Sequence, residues 1–579
     1  MPEAAVANNP AELAAEKALA SMFDCVKARK NFRLEAGAGA GKTYSLVKAL
    51  QFVINEGGKD LGRRSQQVAC ITYTNVASDQ ITAQVDSHPV VHSSTIHSFC
   101  WTLISGFQPY LRTKLTELKT WTERLEEIGG IGNRKVDYAL GHPRARPEDD
   151  CVYLGHNDVV SLMVQMMEEE KFRNILQARF PIIFIDEYQD TNTDFAASLV
   201  RHFVETGTGP LIGLFGDSWQ KIYGDGCGLI EHANLQVIGK EANFRSVKAV
   251  VDVLNRMRPE LPQAVKDPQS TGTVAVYHTN GWQGQRQKGQ HWGGDLPTED
   301  ARVYQERLVE LLKNDAWDFS SDTTKILMLT HNVLAARQGY NGIAKSFRYK
   351  DSFVKKESKH IEFLVDLVEP VARAYESRLF GEMFSLLGRR SLAVHSLDDK
   401  RALADKLDRL LELRKEGTIG NVVDYLAESG YPPLSEAVAE IEKRLRSASE
   451  IEIKESRTLT EASKLRDCPY SELIALADYI DERTPFSTKH GVKGAQFENV
   501  LIVCGRGWNR YNWNDFLEWA NDGVPGDKTE AYERNRNLFY VVCSRPKKNL
   551  ALLFTQELSA AALEQVVAWF GDECVRQLG

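Results

Sequence analysis

Eighteen consecutive apolar residues occur nowhere in this chain of 579 residues. A helix needs about twenty to cross a bilayer, so no membrane span and no membrane partner is expected. The opening stretch MPEAAVANNPAELAAEKALASMF lacks a basic head followed by an apolar core, so no secretory leader is expected. The nine cysteines include no CxxC pair. That argues against a zinc site and a disulfide framework, and scattered thiols suit a reducing, cytoplasmic compartment. Excess positive charge is also missing. Lys and Arg number 71 against 79 Asp and Glu, a net charge of −8. This excludes a protein that coats nucleic acid through overall charge, but not one with a local basic groove. No repeat of fixed period is present. Apolar material is plentiful, at 43% of residues with 24 Phe and ten Trp, and the length suits about three to five folded units.

Short apolar runs recur, each followed by turn residues and then a helical pattern. They are Asn31–Leu34, Val68–Tyr73, Ile182–Asp186, Leu211–Phe215, Thr273–Tyr277, Ile326–Thr330, Val500–Cys504 and Leu550–Phe554. Such runs read as buried strands of parallel sheets with helices on both faces, in two groups that part between about residue 245 and about residue 270. Residues from about 103 to 165 and from about 346 to 470 show charged helical patterns, such as KRALADKLDRLLELRKEG, and no strand signal. They read as solvated helical bundles. Asn280–Asp295, NGWQGQRQKGQHWGGD, is rich in Gly and Gln and reads as a flexible loop.

The strongest motif is Ala36-Gly37-Ala38-Gly39-Ala40-Gly41-Lys42-Thr43, set between the strand-like NFRLE and the helical YSLVKALQFV. Glycines there let backbone N–H groups turn inward around phosphate, and the following helix N-terminus adds its positive end. In such a P-loop Lys42 reaches the β- and γ-phosphates of ATP, and the Thr43 hydroxyl ligates Mg²⁺. Far downstream, Pro181-Ile182-Ile183-Phe184-Ile185-Asp186-Glu187 delivers two carboxylates to the end of a buried strand. Asp186 is suited to hold the Mg²⁺ and Glu187 to polarise the attacking water.

Asp186-Glu187-Tyr188-Gln189-Asp190 resembles the DExxQD box of UvrD/Rep-like superfamily 1A DNA helicases, and further boxes lie along the chain in the family's order. TYTNVA at Thr72–Ala77 resembles TFTNKAA, and STIHSFC at Ser94–Cys100 resembles GTFHSFC. FGDSWQKIY at Phe215–Tyr223 resembles VGDDDQSIY, and NFRS at Asn243–Ser246 resembles NYRS. STKHGVKGAQF at Ser487–Phe497 resembles TxHxxKGLEF, and LFYVVCSRPK at Leu538–Lys547 resembles LxYVxxTRAK. The likeness fades in the two helical stretches. It implies an α/β fold of two RecA-like P-loop domains, each with a helical insertion. Residues 1–102 and 166–245 would form the first motor domain, with 103–165 as its insertion. Residues 246–345 and 471–579 would form the second, with 346–470 as its insertion. The resemblance further implies Gln220 as a sensor of the γ-phosphate and Arg245 and Arg545 as arginine fingers. Tyr44 and Phe244 would sandwich the base, and Gln496 stands in the slot of a ribose contact. The implied DNA track comprises Tyr73, Asn75, Thr95, His97, Tyr223, Thr488, His490 and Lys493. Such tracks hold a single strand through its backbone and by base stacking, worth about 1–3 kcal/mol per base.

Several positions depart from the family. Residues 1–50 hold no Gln to read adenine, Tyr44 stands where Arg is common, and Gln496 replaces an acid. After Ile222-Tyr223 an aromatic is usual, whereas this chain has Gly224-Asp225-Gly226-Cys227. A stacking platform is therefore missing, and Trp219 serves either to compensate or in a core. Ala344–His360, AKSFRYKDSFVKKESKH, is either a phosphate-binding stretch or a solvated helix face. About thirty residues follow Arg545, too few for a fused nuclease, so strand cutting would need a partner protein. The resemblance implies an ATP-dependent helicase or translocase in a bacterial or archaeal cytosol, serving DNA repair or antiviral defence. It would act on single-stranded DNA or a tailed duplex, 3′ to 5′. The alternative is a DNA-sensing ATPase that regulates a partner nuclease and unwinds little, as in compact UvrD-like proteins of two-gene defence systems such as Gabija. A superfamily 1B RNA helicase and a P-loop scaffold without nucleic acid are further rivals.

Overall fold

Apolar runs too short for helices become strands here because each is buried on both faces. The computed structural model describes residues 9–138, 145, 149–222, 224–289, 291–328, 335, 338–349, 351–388, 395–481, 483–487, 495–506 and 511–579. In chain order the first strands are β1 (Phe32–Ala36), β2 (Val68–Thr72), β3 (Val91–Thr95), β4 (Lys135–Tyr138) and β5 (Cys151–Leu154). Next come β6 (Ile182–Asp186), β7 (Leu211–Gly216), β8 (Gln236–Lys240), β9 (Ala242–Asn243) and β10 (Ala264–Val265). Then follow β11 (Val274–His278), β12 (Thr324–Met328), β13 (Phe486–Ser487), β14 (Phe497–Cys504), β15 (Pro546–Phe554) and β16 (Val575–Gln577).

Six of them form an all-parallel sheet in the order β3-β2-β6-β7-β1-β8. Its inner strands β1, β2, β6 and β7 are buried throughout, as a parallel sheet covered on both faces requires. A second all-parallel sheet of six runs β13-β12-β14-β15-β11-β16. The two orders are the same winding. In each, the first strand takes the fifth place, the next two take the second and first, and the later ones take the third, fourth and sixth. These are two RecA-like domains. In both, loops at the carboxyl edge are the ones a parallel sheet offers to ligands.

The stretch from 103 to 165 departs from the all-helical expectation. Besides helices Gln108–Leu115 and His156–Met167, it holds the parallel pair β4–β5. Val136, Val152 and Leu154 are buried, so the pair contributes to the same apolar core as those helices. The stretch from 346 to 470 is helical among its described residues, with Leu403, Leu407 and Leu410 of helix Leu397–Glu416 packed on Val422 and Leu426 in a core of its own. No helix among the described residues is long and apolar enough to cross a membrane.

Asn280–Asp295 is no loose loop in this structure. Arg286 donates to the carbonyls of Thr279, Gly294 and Thr555. Asp295, only 6% exposed, accepts from the backbone N–H of Arg506 at 2.6 Å and of Leu296 at 2.9 Å. Gly and Gln report local freedom, and two long-range charged anchors remove it. The segment follows β11 in the place that the P-loop takes after β1.

Candidate nucleotide and nucleic-acid site

Gly39 and Gly41 adopt φ of 76° and 74°, a left-handed backbone that Gly takes without cost. Helix Lys42–Arg63 follows with no side-chain cap and no acid in its first turn, so its free N–H groups and dipole favour an anion. Lys42 Nζ lies 3.7 Å from Glu187 Oε2. That pair brings together the ends of β1 and β6, with Thr43 and Asp186 next in sequence to its two members. Glu187 holds φ of 48°, and its carboxylate accepts from Gln189 Nε2 at 2.6 Å. The backbone N–H of Glu187 donates to Asp186 Oδ1 at 3.1 Å. An uncapped helix start, a lysine, a hydroxyl and a strand-end carboxylate fit a Mg²⁺-bound triphosphate.

The junction of the two halves closes on this loop. Asn243 and Gln263 both donate to the Ala38 carbonyl at 3.1 Å. A Cβ on Gly39 would lie 2.8 Å from both Arg245 Cβ and Asn243 Oδ1. Arg245 donates to the Ser544 carbonyl at 3.0 Å, and Arg545 donates to Gln220 Oε1 at 3.1 Å. Burial lowers both guanidinium pKa values. Arg545, also facing Arg245, is pushed down to about 9, while Glu187 pulls the other way on both. Gln220 in turn donates to Asp217 Oδ2 at 2.6 Å. Tyr44 and Phe244 are 56% and 37% exposed, and Phe244 is tied to the P-loop by its N–H on the Gly39 carbonyl at 2.9 Å. Gln496 is exposed just ahead of β14.

On the carboxyl edge of the first sheet, Tyr73 follows β2 and is 46% exposed. Asn75 opens helix Asn75–Gln84 and is exposed. Thr95 caps helix Ile96–Ile104 through the Ser98 N–H. His97 lies with its ring centre 4.5 Å from that of His156, whose Nδ1 is 2.5 Å from the Tyr138 hydroxyl. Burial and then His156 drive the His97 pKa down to about 4, so the ring is a neutral imidazole near pH 7. A cavity of about 240 Å³ is lined by Tyr73, His97, Asp186, Glu187, Asp190 and Asp225, and therefore joins the track residues to the carboxylates of the nucleotide site. The Gly224–Cys227 run is docked on the DEYQD turn. Cys227 N–H donates to the Thr191 carbonyl at 2.8 Å, and a Cβ on Gly226 would sit 2.3 Å from the Gln189 carbonyl. Tyr223, Thr488, His490 and Lys493 lie outside the described residues. Trp219 packs between halves, with the Arg536 guanidinium 4.3 Å and that of Arg258 5.1 Å from its ring and Tyr540 at 5.4 Å. In Ala344–His360, Phe347 and Phe353 are core residues and His360 pairs with Glu442 at 2.8 Å. Tyr349 alone of its aromatics is exposed, flanked by Arg348 and Arg457.

A family model described as an AAA domain matches residues 21–225. The chain is similar to the Gabija protein GajB of Bacillus cereus, 23% identical over 94% of this chain and 96% of GajB. It is also similar to the ATP-dependent DNA helicase PcrA of Staphylococcus epidermidis and of Staphylococcus aureus. Those are 24% and 25% identical, over 38% of this chain and 37% of PcrA. The chain is an ATP-hydrolysing enzyme similar to UvrD-like helicases.

Three further residues of this UvrD-like site lie outside the sequence motifs. Lys240, at the end of β8, is buried and donates to the Gly41 carbonyl at 2.9 Å and to Ser45 Oγ at 2.7 Å. Burial brings its pKa down to about 8, and Tyr44 lies over it at 5.6 Å. Glu35 precedes the P-loop and accepts from Tyr188 Oη at 2.7 Å, Ser218 N at 2.8 Å and Arg258 Nη2 at 2.9 Å. Burial opposes its ionisation, and those donors still hold its pKa low. Arg258, 4% exposed in its side chain, also pairs with Asp217 at 2.5 Å. The sequence offers a signal for Glu35 alone, as an acid in the buried strand FRLEA directly before the P-loop.

Proposed function

We propose that this UvrD-like protein hydrolyses ATP between its RecA-like halves and uses the cycle to move along single-stranded DNA, 3′ to 5′. The charge around Glu187 supports this most directly. Lys42, Arg245 and Arg545 converge there, Arg545 from the second half and Arg245 from the segment that leads into it, and burial disfavours the charge of both arginines. A buried excess of cations is compensated by a polyanion, and is worth most where charge develops during phosphoryl transfer. The backbone of Ala36–Thr43 holds the phosphates, Tyr44 and Phe244 face the base and Gln496 the ribose. Thr43 and Asp186 hold Mg²⁺, which neutralises charge on the β- and γ-phosphates when bound. Once a phosphate takes Lys42, the Glu187 carboxylate is free to accept the proton of the attacking water, oriented by Gln189. Gln220 and Arg545 then meet the transferred group. Tighter binding of ATP to the closed cleft than to the open one converts hydrolysis into a step along the strand, which Tyr73, Asn75, Thr95, His97, Tyr223, Thr488, His490 and Lys493 hold.

ATPase assays with and without single-stranded DNA test this. Stimulation of several-fold is expected, Lys42→Ala should lose phosphate binding, and Glu187→Gln should bind ATP without turning it over. Turnover at the wild-type rate by Glu187→Gln would overturn the assignment.

A second reading is a DNA-sensing ATPase that regulates a partner nuclease in antiviral defence. It is favoured by the span of the likeness, nearly whole-chain to GajB but 37% of PcrA. The acid-bearing Gly224–Cys227 run in place of an aromatic favours it as well.

A further inference from the structure

The turn from Asp217 to Lys221 belongs by sequence to the first half, yet the second half grips it. Asp217 is fully buried and has two oxygens to offer. Oδ1 accepts from Arg258 Nη1 at 2.5 Å and from the Trp219 N–H at 3.1 Å, while Oδ2 accepts from Gln220 Nε2 at 2.6 Å. The Gln220 amide is thereby polarised in one sense. Its NH₂ faces Asp217, so its carbonyl faces Arg545 Nη2 at 3.1 Å. Were the amide turned over, two donors would meet at Arg545 and two acceptors at Asp217. Arg258 also holds Glu35 at the foot of the P-loop, and its guanidinium lies 5.1 Å from the Trp219 ring and 5.8 Å from that of Tyr540 in the second half.

Resting on the ATPase reading above, we propose that Arg258 is a positioning residue. Docked from the second half, it fixes Asp217 so that Gln220 turns its carbonyl to Arg545, which makes turnover depend on closure of the two halves. Arg258 touches no reacting atom in this scheme and acts through Gln220. Its removal should therefore lower kcat and leave nucleotide affinity nearly unchanged.

The experiment measures kcat, KM and the Kd of a fluorescent ATP analogue for Arg258→Met, Arg258→Lys, Asp217→Asn and Gln220→Ala, singly and paired with Gln220→Ala. Asp217→Asn is isosteric and keeps an oxygen for Arg258 but sets an NH₂ against Gln220. It should cost about 10- to 100-fold in kcat with Kd changed less than about threefold, the range of one misplaced contact to developing charge. Arg258→Lys should recover part of the loss of Arg258→Met. In the Gln220→Ala background both Arg258 and Asp217 variants should change kcat less than about twofold, since residues acting through one another are not additive. Additive losses in that background, or equal losses in affinity and turnover, overturn the proposal. Arg258→Met strands two buried carboxylates; if it does not fold, Arg258→Lys and Asp217→Asn carry the same cycle. Failure of the ATPase reading is separable: it is the case if Lys42→Ala and Glu187→Gln turn over normally. Wild-type kcat in Asp217→Asn with those two inactive sinks the Arg258 relay alone.

Discussion

Lys240 shows how far a residue's chemistry depends on what covers it. Its neighbours are a carbonyl and a hydroxyl, which solvate an ammonium poorly, and its pKa falls to about 8. Between about 8 and the ordinary 10.5 the folded chain binds fewer protons than the unfolded one, so this group adds stability as pH rises through that window. Nucleotide affinity should move the other way, because a phosphate beside Gly41 favours the charged form. Titration with a fluorescent ATP analogue from pH 7 to pH 9 should show binding weakened by up to about tenfold. Lys240→Met should be weaker at pH 7 and flat across the range; parallel slopes in the two proteins would exclude Lys240 as the source. Arg245 and Arg545 belong to the same scale. Each Ala variant is expected to lose about 10³-fold in kcat, the order of an arginine finger, with a much smaller change in ATP affinity. Single-turnover kinetics separate the two, and equal losses would indicate ground-state binding. The expectations for Lys42, Asp186 and Glu187 rest on residue type and spacing, whereas those for Gln220 and both arginines rest on the resemblance to the UvrD/Rep-like boxes. Lys240, Arg258 and Gln263 were not legible, since a lone Lys, Arg or Gln is in most settings a solvated side chain. Only the packing of helix Lys42–Arg63 and of the second half takes them out of water.

Among elements, helix Lys42–Arg63 holds glycines of opposite meaning. Gly39 before it combines φ of 76° with neighbours 2.8 Å from any added Cβ. Gly57 within it has nothing within 4 Å. Gly57→Ala should raise stability by about 0.5–1 kcal/mol through helix propensity. Gly39→Ala should instead lose ATP turnover by about tenfold or more, as strain and contact push Arg245 off the P-loop. Thermal melts with ATPase rates decide both, and a fully active Gly39→Ala would show that the seam is looser than drawn. Over the described residues every apolar run read as a strand is one, with Leu329 and Thr330 lying outside them, because inner strands of parallel sheets are buried on both faces. The strands absent from that reading are edges or fragments. β3 is VHSST and half-buried throughout, β8 alternates to solvent, β13 has two residues and β16 three. An edge needs partners more than hydrophobicity, and partners are a tertiary fact. The same holds for β4–β5, and for Asn280–Asp295, whose anchors Arg286 and Asp295 reach residues near the other end of the chain.

At the scale of the molecule, Tyr73, His97, Asp186, Glu187 and Asp225 line one cavity, so the proposed strand and nucleotide sites share a wall. Tyr73→Ala should lose stimulation by single-stranded DNA while basal hydrolysis survives, since stacking contributes about 1–3 kcal/mol per base. Stopped-flow unwinding of tailed duplexes should show the wild type limited to short ones, given Asp225 where a platform is usual. Processive unwinding of long duplexes without a partner would refute that weakness. From sequence alone, short apolar runs were enough to indicate two parallel sheets, and seven boxes in order their likeness to UvrD-like motors, because strand burial and motif spacing constrain residue type tightly. Which residues lie at the seam was decided by tertiary structure alone. The two sheets repeat one winding without repeating sequence, so nothing local marks Arg258 as the partner of Asp217 or Trp219 as a seam residue. Long-range contacts between halves are chosen by complementary surfaces, and a surface exists only once both sheets have folded.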